Sequence, residues 1–549
     1  MPQGVASPPE TSQTAGVVAQ DVAHPRSGSD RLVLPLLCAA VFLLGCIRGA
    51  AKPFWFDEVA TAHIAGASTW HDTLERSRLV DLHPPLEPLL VRLSFHLFGP
   101  HEFAGHLPSV VFLTIGVGAL FVFLRRRTNA AYALFGALLP LCNADVFSYV
   151  TEARSYGLLF GSVCLAVAAY DTVLRGQRPA IARITLALAL TATLQAHLFG
   201  TFAAGAFVLA EVIRSVRLRR IDILTWASIL LPWISCLTYI PLLRIQAAGH
   251  GSPMVYEEIN RTSLKKGLLF FHGTIYLPIA PLIKVAAVVL LCVRYFPTRR
   301  FTHSFQLPAE LMGALLVLLA APVLVTLLLH VRAPGSGFFP RYGIAAVPPA
   351  FLLLTGLISW RAGPDRRVAF LFLAAVLIGC AVSLAELPGD LRTVAHNGLF
   401  AAPPGLDRTG GVDHLCPDLP LAVNDPLEFL EADFRLRPDT ETRMVYPTDP
   451  AESLRLEHEN ATQAVNGMAR AFQTSHHVVP AAPFLAAHPD FLLLYRPHHT
   501  GWFADKLLEE HARILPLGGY KFAGTNADLW LVTQPGAGPF PAGPNCPAH

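Results

Sequence analysis

Residues that could do chemistry are most concentrated in the segment 51–106, and two adjacent carboxylates lie near its start. Asp57 and Glu58 directly follow the three aromatic residues Phe54, Trp55 and Phe56. Apolar neighbours raise the pKa of a carboxyl group toward the range in which it can take a proton from a substrate. The pair is therefore a candidate general base. The alternative is an aromatic belt at a membrane surface beside two solvated acids.

A second polar cluster lies further along the same stretch. Asp81, His83 and Glu87 flank the diproline Pro84–Pro85. A histidine and carboxylates at this spacing could hold a divalent metal ion or contact a phosphate, and Asp81 and His83 are the metal candidates. The alternative is a loop helix that the diproline opens and whose polar side chains face water.

The elements that must position these residues are predicted to be membrane helices. Of the 549 residues, 53% are hydrophobic and 15% are charged, whereas soluble domains carry about 25% charged residues. The mean hydropathy is +0.45. The net charge of +3 gives no support to nucleic-acid binding. The length exceeds what one hydrophobic core usually supports, so at least two units are expected.

Eleven segments are apolar enough, and close enough to the required length of about 20 residues, to span a bilayer. They are 32–50, 107–124, 129–147, 153–174, 181–198, 200–216, 222–243, 274–293, 308–330, 343–360 and 368–386. Arginine clusters follow the even-numbered segments, and the positive-inside rule places those loops in the cytoplasm. The first loop, residues 51–106, and everything after the eleventh segment are then predicted to lie outside.

The predicted domain organisation has four regions. Residues 1–30, rich in Ser, Pro, Ala and Gln, are predicted to be disordered. Residues 31–386 form the transmembrane unit, 387–535 a small extracytoplasmic α/β domain, and 536–549 a flexible tail. The elements predicted in the α/β domain are strands at Leu421–Val423, Met444–Tyr446, Phe491–Tyr495 and Leu529–Thr533 and a helix at Phe503–Ile514. Cys416 and Cys546 could pair in an oxidising compartment, but the sequence does not fix their distance.

An ordered set of motifs resembles the C-type (GT-C) glycosyltransferases. In the first loop these motifs are Trp55-Phe56-Asp57-Glu58, His83-Pro84-Pro85-Leu86 and the run Phe98-Gly99, Glu102-Phe103-Ala104 and Leu107-Pro108-Ser109. Later in the chain they are Glu152-Ala153-Arg154-Ser155-Tyr156, His197, and Arg341-Tyr342 followed by Val347-Pro348-Pro349. The set is most similar to the bacterial protein-mannosyltransferase-like group, which includes the aminoarabinose transferases of lipid A and rhizobial lipopolysaccharide sugar transferases.

The resemblance implies a helical polytopic fold of eleven to thirteen transmembrane helices in the cytoplasmic (inner) membrane of a bacterium. It also implies a polyprenyl-phosphate sugar as donor and an inverting transfer on the periplasmic face. The expected partners are that donor lipid, membrane lipids and an acceptor, which could be lipopolysaccharide, a glycan, a lipid or a protein. In the lipid A branch an acidic residue just before the loop proline binds a metal ion. His83 is nearest that position here and departs from the pattern.

The resemblance and the chemistry of glycosyl transfer together assign candidate roles. The reacting sugar is cationic in character, and cations must stabilise the departing phosphate. Asp57, which matches the family's Asp, is the candidate base, with Glu58 beside it. Arg341 and Arg154 are the candidate phosphate contacts, because a guanidinium is planar and always charged. Alternatively, each arginine snorkels to the interface, or Arg154 pairs with Asp145. The remaining candidate substrate contacts are Tyr342, Glu152 and Lys52.

Three other functions compete with a glycosyltransferase. A transporter or flippase would show two similar halves or helices interrupted at mid-membrane, and the sequence shows no internal repeat. An O-antigen ligase-like enzyme carries its key residues in a large late outer loop, whereas the distinctive loop here is the first. A non-catalytic scaffold would tolerate the loss of Asp57. The sequence favours the glycosyltransferase.

Overall fold

The chain folds into a helical bundle followed by a small domain built on a β-sheet. The computed structural model describes residues 30–81, 83–248, 305–332, 340–363, 365–399, 415–425, 428–431, 443–457, 468–469, 471–472, 477–495, 501–522, 525–541 and 546. This architecture confirms the predicted fold class, a helical polytopic protein with a small α/β domain near its C-terminus.

The first region consists of helices. Their bounds are α1 (Asp30–Ala51), α2 (Phe56–Ala65), α3 (Trp70–Val80), α4 (Leu86–Phe98), α5 (Glu102–Arg125), α6 (Ala130–Cys142), α7 (Ala144–Thr151), α8 (Tyr156–Leu174), α9 (Pro179–Ala196), α10 (Gly200–Leu218), α11 (Ile223–Leu230), α12 (Tyr239–Ala248), α13 (Ala309–Arg332), α14 (Val347–Ala362), α15 (Arg366–Ser383) and α16 (Leu387–Asn397). Two 3-10 segments, Leu231–Thr238 and Pro340–Ala346, precede α12 and α14.

Seven helical stretches within the described residues are long and apolar enough to cross a membrane. They are Leu32–Ala51, Glu102–Arg125, Tyr156–Leu174, Pro179–Ala196, Ile223–Arg244, Gly343–Ala362 and Arg366–Ser383. Helices α6 and α7 meet at an angle of 76° and would add an eighth span if they cross together. The predicted segments fall on helical residues except 274–293, which lies outside the described residues. Segment 129–147 is divided by the bend between α6 and α7, and segment 222–243 combines α11, a 3-10 segment and α12. Segments 200–216 and 308–330 fall on helices that are not among the seven candidate spans.

The bend between α6 and α7 positions part of the candidate site. Asn143 ends α6 and caps α7, because its side-chain oxygen accepts a hydrogen bond of 3.1 Å from the backbone N–H of Val146. Helix α7 then ends at Thr151, and the chain passes through Glu152 and Arg154 before α8 begins. The bend therefore carries Glu152 and Arg154 to the end of the bundle at which the first loop lies.

Three short helices, α2, α3 and α4, fill the first loop. Helix α4 begins directly after Pro84–Pro85, as the diproline predicts. The guanidinium of Arg92 on α4 is buried and donates to the carbonyls of Ala65 and Ser68, each at 3.1 Å. These bonds tie α4 to the turn after α2, so the loop that carries Asp57 is an ordered part of the fold.

The C-terminal domain contains a six-stranded sheet in the order β3-β2-β1-β4-β6-β5. Its elements are β1 (Leu421–Val423), β2 (Met444–Thr448), α17 (Pro450–Glu457), β3 (Val478–Pro480), α18 (Ala481–Ala487), β4 (Asp490–Tyr495), α19 (Trp502–Glu509), β5 (Arg513–Phe522) and β6 (Thr525–Thr533). Strands β1 to β4 run parallel to one another, while β6 is antiparallel to both β4 and β5.

The predicted helix Phe503–Ile514 is too long. Helix α19 ends at Glu509, and His511 adopts a left-handed conformation with φ of 60°, which an α-helix does not accommodate. Arg513 and Ile514 instead begin β5, where Arg513 pairs with Thr533 of β6. Long-range strand pairing has overridden the local helical pattern.

The sheet domain packs against the first loop through α2. Ala60 and Ile64 of α2 belong to the same buried cluster as Phe429 and Leu430 of the sheet domain. The ring of His63 also stacks on that of Phe472, with centroids 4.8 Å apart. The N-terminal turn of α2 carries Asp57 and Glu58, so one helix joins the candidate site to the C-terminal domain.

Candidate active site

Asp57 lies in the first turn of α2, where the positive end of the helix dipole favours a negative charge. Its carboxylate is 3.2 Å from a guanidinium nitrogen of Arg341, and both side chains are 20% exposed. The Arg341 guanidinium also lies over the indole of Trp55, 5.1 Å from its centroid. Two residues far apart in sequence, the candidate base and a candidate phosphate ligand, thus form an ion pair that solvent can reach.

Glu58 is fully buried, unlike its neighbour Asp57. One carboxylate oxygen accepts hydrogen bonds from Nε2 of His106 at 2.9 Å and from the backbone N–H of Ala153 at 2.8 Å, and the other accepts from the N–H of Trp55 at 3.0 Å. Burial raises the pKa of this carboxyl, but Lys52, His106 and the hydrogen bonds outweigh it and hold the pKa below its usual value. Glu58 is therefore a buried anion that joins the first loop to the turn before α8.

Lys52 and Glu152, both candidate substrate contacts, form an ion pair of 3.3 Å. Glu152 is 5% exposed. Burial is the main reason why the pKa of its carboxyl lies above the usual value, and the nearby Glu58 carboxylate raises the pKa further. Lys52 lowers the pKa but does not cancel these two effects. The pair lies close to Glu58, because Glu152 directly precedes Ala153, whose backbone N–H donates to the Glu58 carboxylate.

Arg154 connects the two polar clusters of the first loop. One nitrogen donates to the backbone carbonyl of Asp57 at 3.4 Å and to the hydroxyl of Thr61 at 3.1 Å. The other lies 3.6 Å from a carboxylate oxygen of Asp81. The ionic partner of Arg154 is therefore Asp81 rather than Asp145, the partner considered from the sequence.

Asp81 and His83, the metal candidates from the sequence, are in direct contact. Nδ1 of His83 is 2.7 Å from the Asp81 carboxylate, and Nε2 is 3.0 Å from Nε2 of His197. Within the described residues there is no group of three or more His, Cys, Asp or Glu side chains arranged to hold a metal ion. His197, which matched a family position at the end of a helix, joins this cluster from the end of α9.

Sequence reasoning missed His106 and gave Glu87 no separate role. His106 is the buried partner of Glu58, but its place in the apolar helix α5 gives it no distinguishing signal. Glu87 was noted only as part of the polar cluster, yet it is 3% exposed and neither carboxylate oxygen has a hydrogen-bond partner in the described part of the chain. Tyr342 lies in the 3-10 segment beside Arg341, and its side chain is outside the described residues.

The fold and this site define a class: a polytopic membrane protein with a cluster of carboxylates and guanidinium groups where its first loop meets the ends of its helices. The family model described as dolichyl-phosphate-mannose-protein mannosyltransferase matches residues 82–239. That match covers part of the first loop and the helices up to the start of α12. No curated protein sequence matches the chain significantly.

Two solved structures share the fold over almost the whole chain. The crystal structure of ArnT from Cupriavidus metallidurans in the apo state matches with a TM-score of 0.53 and 13% identity, covering 92% of this chain and 98% of that one. The crystal structure of the same protein bound to undecaprenyl phosphate matches with a TM-score of 0.52 and 15% identity, with the same coverage. At this identity the likeness establishes the fold.

The family match and the shared fold confirm the resemblance to C-type glycosyltransferases of the protein-mannosyltransferase and ArnT type. They support a glycosyltransferase embedded in a membrane by several apolar helices.

Proposed function

We propose that the protein transfers a sugar from a polyprenyl-phosphate donor to an extracytoplasmic acceptor, with inversion at the anomeric carbon and with Asp57 as the base. The observation that carries the proposal is the ion pair between Asp57 and Arg341, 3.2 Å apart and open to solvent. It joins a proton acceptor to a phosphate-binding group at one point. The undecaprenyl phosphate bound to the similarly folded ArnT supports a donor of this lipid class.

The difference between the two adjacent carboxylates supports separate roles. Glu58 is fully buried, and both of its oxygens accept hydrogen bonds from the protein, so it has little capacity left for a substrate. Asp57 is 20% exposed, and its carboxylate has Arg341 as an ionic partner. A donor phosphate that takes over Arg341 would leave the Asp57 carboxylate available to an acceptor hydroxyl.

The chemical step is a single displacement. The acceptor oxygen forms a bond to the anomeric carbon while the bond from that carbon to the phosphate oxygen breaks. The hydroxyl proton passes to Asp57, and the polyprenyl phosphate leaves with the bonding electron pair. Attack opposite the leaving group inverts the configuration. Arg341 and Arg154 stabilise the negative charge that accumulates on the phosphate, while Lys52 and Glu152 hold the turn behind Glu58.

Two features support an active site on the periplasmic face of a bacterial inner membrane. Arginine clusters follow alternate predicted spans, and the positive-inside rule then favours the opposite side of the membrane for the first loop and the C-terminal domain. Cys416 and Cys546, near the two ends of the sheet domain, form a disulfide. Disulfides persist in oxidising compartments such as the periplasm, so the pair favours the same side.

We propose a divalent metal ion as an alternative occupant of the same place. Asp81 and His83 carry the right donor atoms, and a metal ion held by both would replace the contact of 2.7 Å between their side chains. A third ligand would have to come from the substrate phosphate or from residues outside the described part of the chain. Dependence of transfer on a divalent cation after treatment with a chelator would decide this point.

The proposed activity is tested with purified protein in detergent and a panel of radiolabelled undecaprenyl-phosphate sugars, presented with membrane extracts as acceptor. We expect label to move from one donor into an extractable product, with stoichiometric release of undecaprenyl phosphate. Movement of intact donor across proteoliposomes without cleavage would instead indicate a flippase. Failure of every donor to be cleaved, by a protein that remains folded, would refute the proposal.

A further inference from the structure

Asp81, His83 and His197 form a continuous series of short polar contacts between the first loop and the end of α9. The contacts are 2.7 Å from the Asp81 carboxylate to Nδ1 of His83, and 3.0 Å from Nε2 of His83 to Nε2 of His197. His197 is 3% exposed and Asp81 is 7% exposed. Polar groups at this depth are normally hydrogen-bonded, so the positions of the protons can be worked out.

The backbone fixes the direction of the series. The N–H of Phe199 donates to Nδ1 of His197 at 3.0 Å, so this nitrogen carries a lone pair and no proton. A neutral His197 must then carry its proton on Nε2, which donates it to Nε2 of His83. His83 accepts there, and its own proton is on Nδ1, pointing to the Asp81 carboxylate. Each step follows from the one before, and the two imidazoles have opposite tautomers.

We propose that Asp81, His83 and His197 form a one-way chain of hydrogen bonds, with both imidazoles neutral and in opposite tautomers, that positions the Arg154 guanidinium for the donor phosphate. His83 and His197 are positioning residues in this proposal. The part that concerns the phosphate rests on the proposed function, whereas the assignment of the tautomers does not.

The surroundings of the chain agree with this assignment. Burial, and next to it the positive charge of Arg154, lowers the pKa of His197 well below its usual value, which favours the neutral ring. Burial raises the pKa of the Asp81 carboxyl, but the charge of Arg154 and the hydrogen bond from His83 outweigh burial and hold the pKa below its usual value, so that Asp81 is the fixed anion at the end of the chain. A protonated His83 would present a donor on Nε2 to the donor on His197, and the contact of 3.0 Å would be lost.

Arg154 is held at the Asp81 end of the chain. One of its nitrogens lies 3.6 Å from the Asp81 carboxylate and 3.4 Å from Nδ1 of His83, and the other donates to Thr61 and to the carbonyl of Asp57. Nδ1 of His83 carries a proton that points to Asp81, so this nitrogen has no lone pair to accept a hydrogen bond from Arg154. The Asp81 carboxylate is therefore the group that orients the guanidinium. Movement of His83 would therefore move the guanidinium relative to Asp57.

The tautomers are read directly by nitrogen chemical shifts of protein labelled with ¹⁵N-histidine, in lipid bilayers. We expect one ring protonated only on Nδ1, whose signals disappear in His83→Asn, and one protonated only on Nε2, whose signals disappear in His197→Gln. Equal tautomers, or an imidazolium at either position near neutral pH, would overturn the proposal. This readout needs no activity, so it stands even if the proposed function fails.

The role in positioning is tested by the split between donor binding and turnover. A glutamine amide nitrogen can replace Nε2–H of His197, so His197→Gln should stay within about threefold of the parent in donor KM. His197→Leu removes the bond and should raise donor KM about tenfold, the factor expected for one lost buried hydrogen bond. His96→Leu on the exposed face of α4 is the control and should change nothing. Equal KM for the Gln and Leu variants of His197 would overturn the positioning role.

Discussion

Replacing the buried acid Glu87 with glutamine should make the protein more stable at high pH and leave it unchanged at low pH. Glu87 is 3% exposed, and both of its carboxylate oxygens are buried without a hydrogen-bond partner in the described part of the chain. Burial is the main reason why the pKa of this carboxyl is raised from 4.5 to about 8. Arg154 lowers the pKa, whereas the neighbouring acids Asp81 and Glu58 raise it.

The sign and size of the effect follow from proton linkage. A carboxyl whose pKa is higher in the folded state binds its proton more tightly there than in the unfolded chain, so folding is favoured at low pH. Stability from this source is complete below a pH of about 4.5 and declines until the pH reaches about 8. The difference between these pKa values corresponds to roughly 4–5 kcal/mol as an upper bound. Glu87→Gln keeps the size of the side chain and stays neutral, so it avoids this loss.

The assay is thermal unfolding of the purified protein in detergent, followed by tryptophan fluorescence at about pH 5 and about pH 9. Parent and Glu87→Gln should unfold at similar temperatures at the lower pH, and the variant should be clearly more stable at the higher pH. The matched control is Glu75→Gln on α3, where the acid is exposed and paired with Arg78. If the two Gln variants show the same dependence on pH, Glu87 is not a buried neutral acid.

Three further changes test other parts of the structure. Arg341→Lys keeps the charge but loses the planar fork, and should weaken donor binding about tenfold in a direct binding assay; unchanged affinity would mean that Arg341 serves Asp57 alone. Ile64→Ala should cost about 2–4 kcal/mol of stability and reduce activity as well, because α2 packs into the sheet domain; full activity would show that this contact does not reach the site. Cys546→Ser opens the bond to Cys416 and should lower the unfolding temperature of the C-terminal domain, whereas reductant should have no further effect on that variant.

Residue types and spacing located the chemistry of the first loop, but only the family resemblance separated its two acids. The adjacency of Asp57 and Glu58 to three aromatic residues was visible without a structure. Their difference depends on the turn before α8, whose backbone N–H at Ala153 bonds to Glu58. A contact between residues so far apart in the chain depends on how the helices pack, and a local pattern does not contain that information.

The pairing of Arg154 shows the same limit. Asp145 was the partner considered from the sequence, but the guanidinium pairs with Asp81 from the first loop. In the sheet domain, alternating strands and helices predicted the class of fold and the central strands well. Strands β3 and β5 were missed, because β3 ends in a proline and leads directly into α18, and the start of β5 continues a helical pattern. Long-range pairing decides both elements.

The central claim, that Asp57 is the base in transfer from a polyprenyl-phosphate sugar, is tested most directly by Asp57→Asn. The variant keeps the size of the side chain and removes the proton-accepting charge, and the position is partly exposed, so folding should be preserved. A general base contributes about 10²–10⁴-fold, so turnover measured with purified protein should fall by about that factor while the donor still binds. Turnover within a few-fold of the parent would contradict the account and direct attention to Glu58, Asp81 or Glu152.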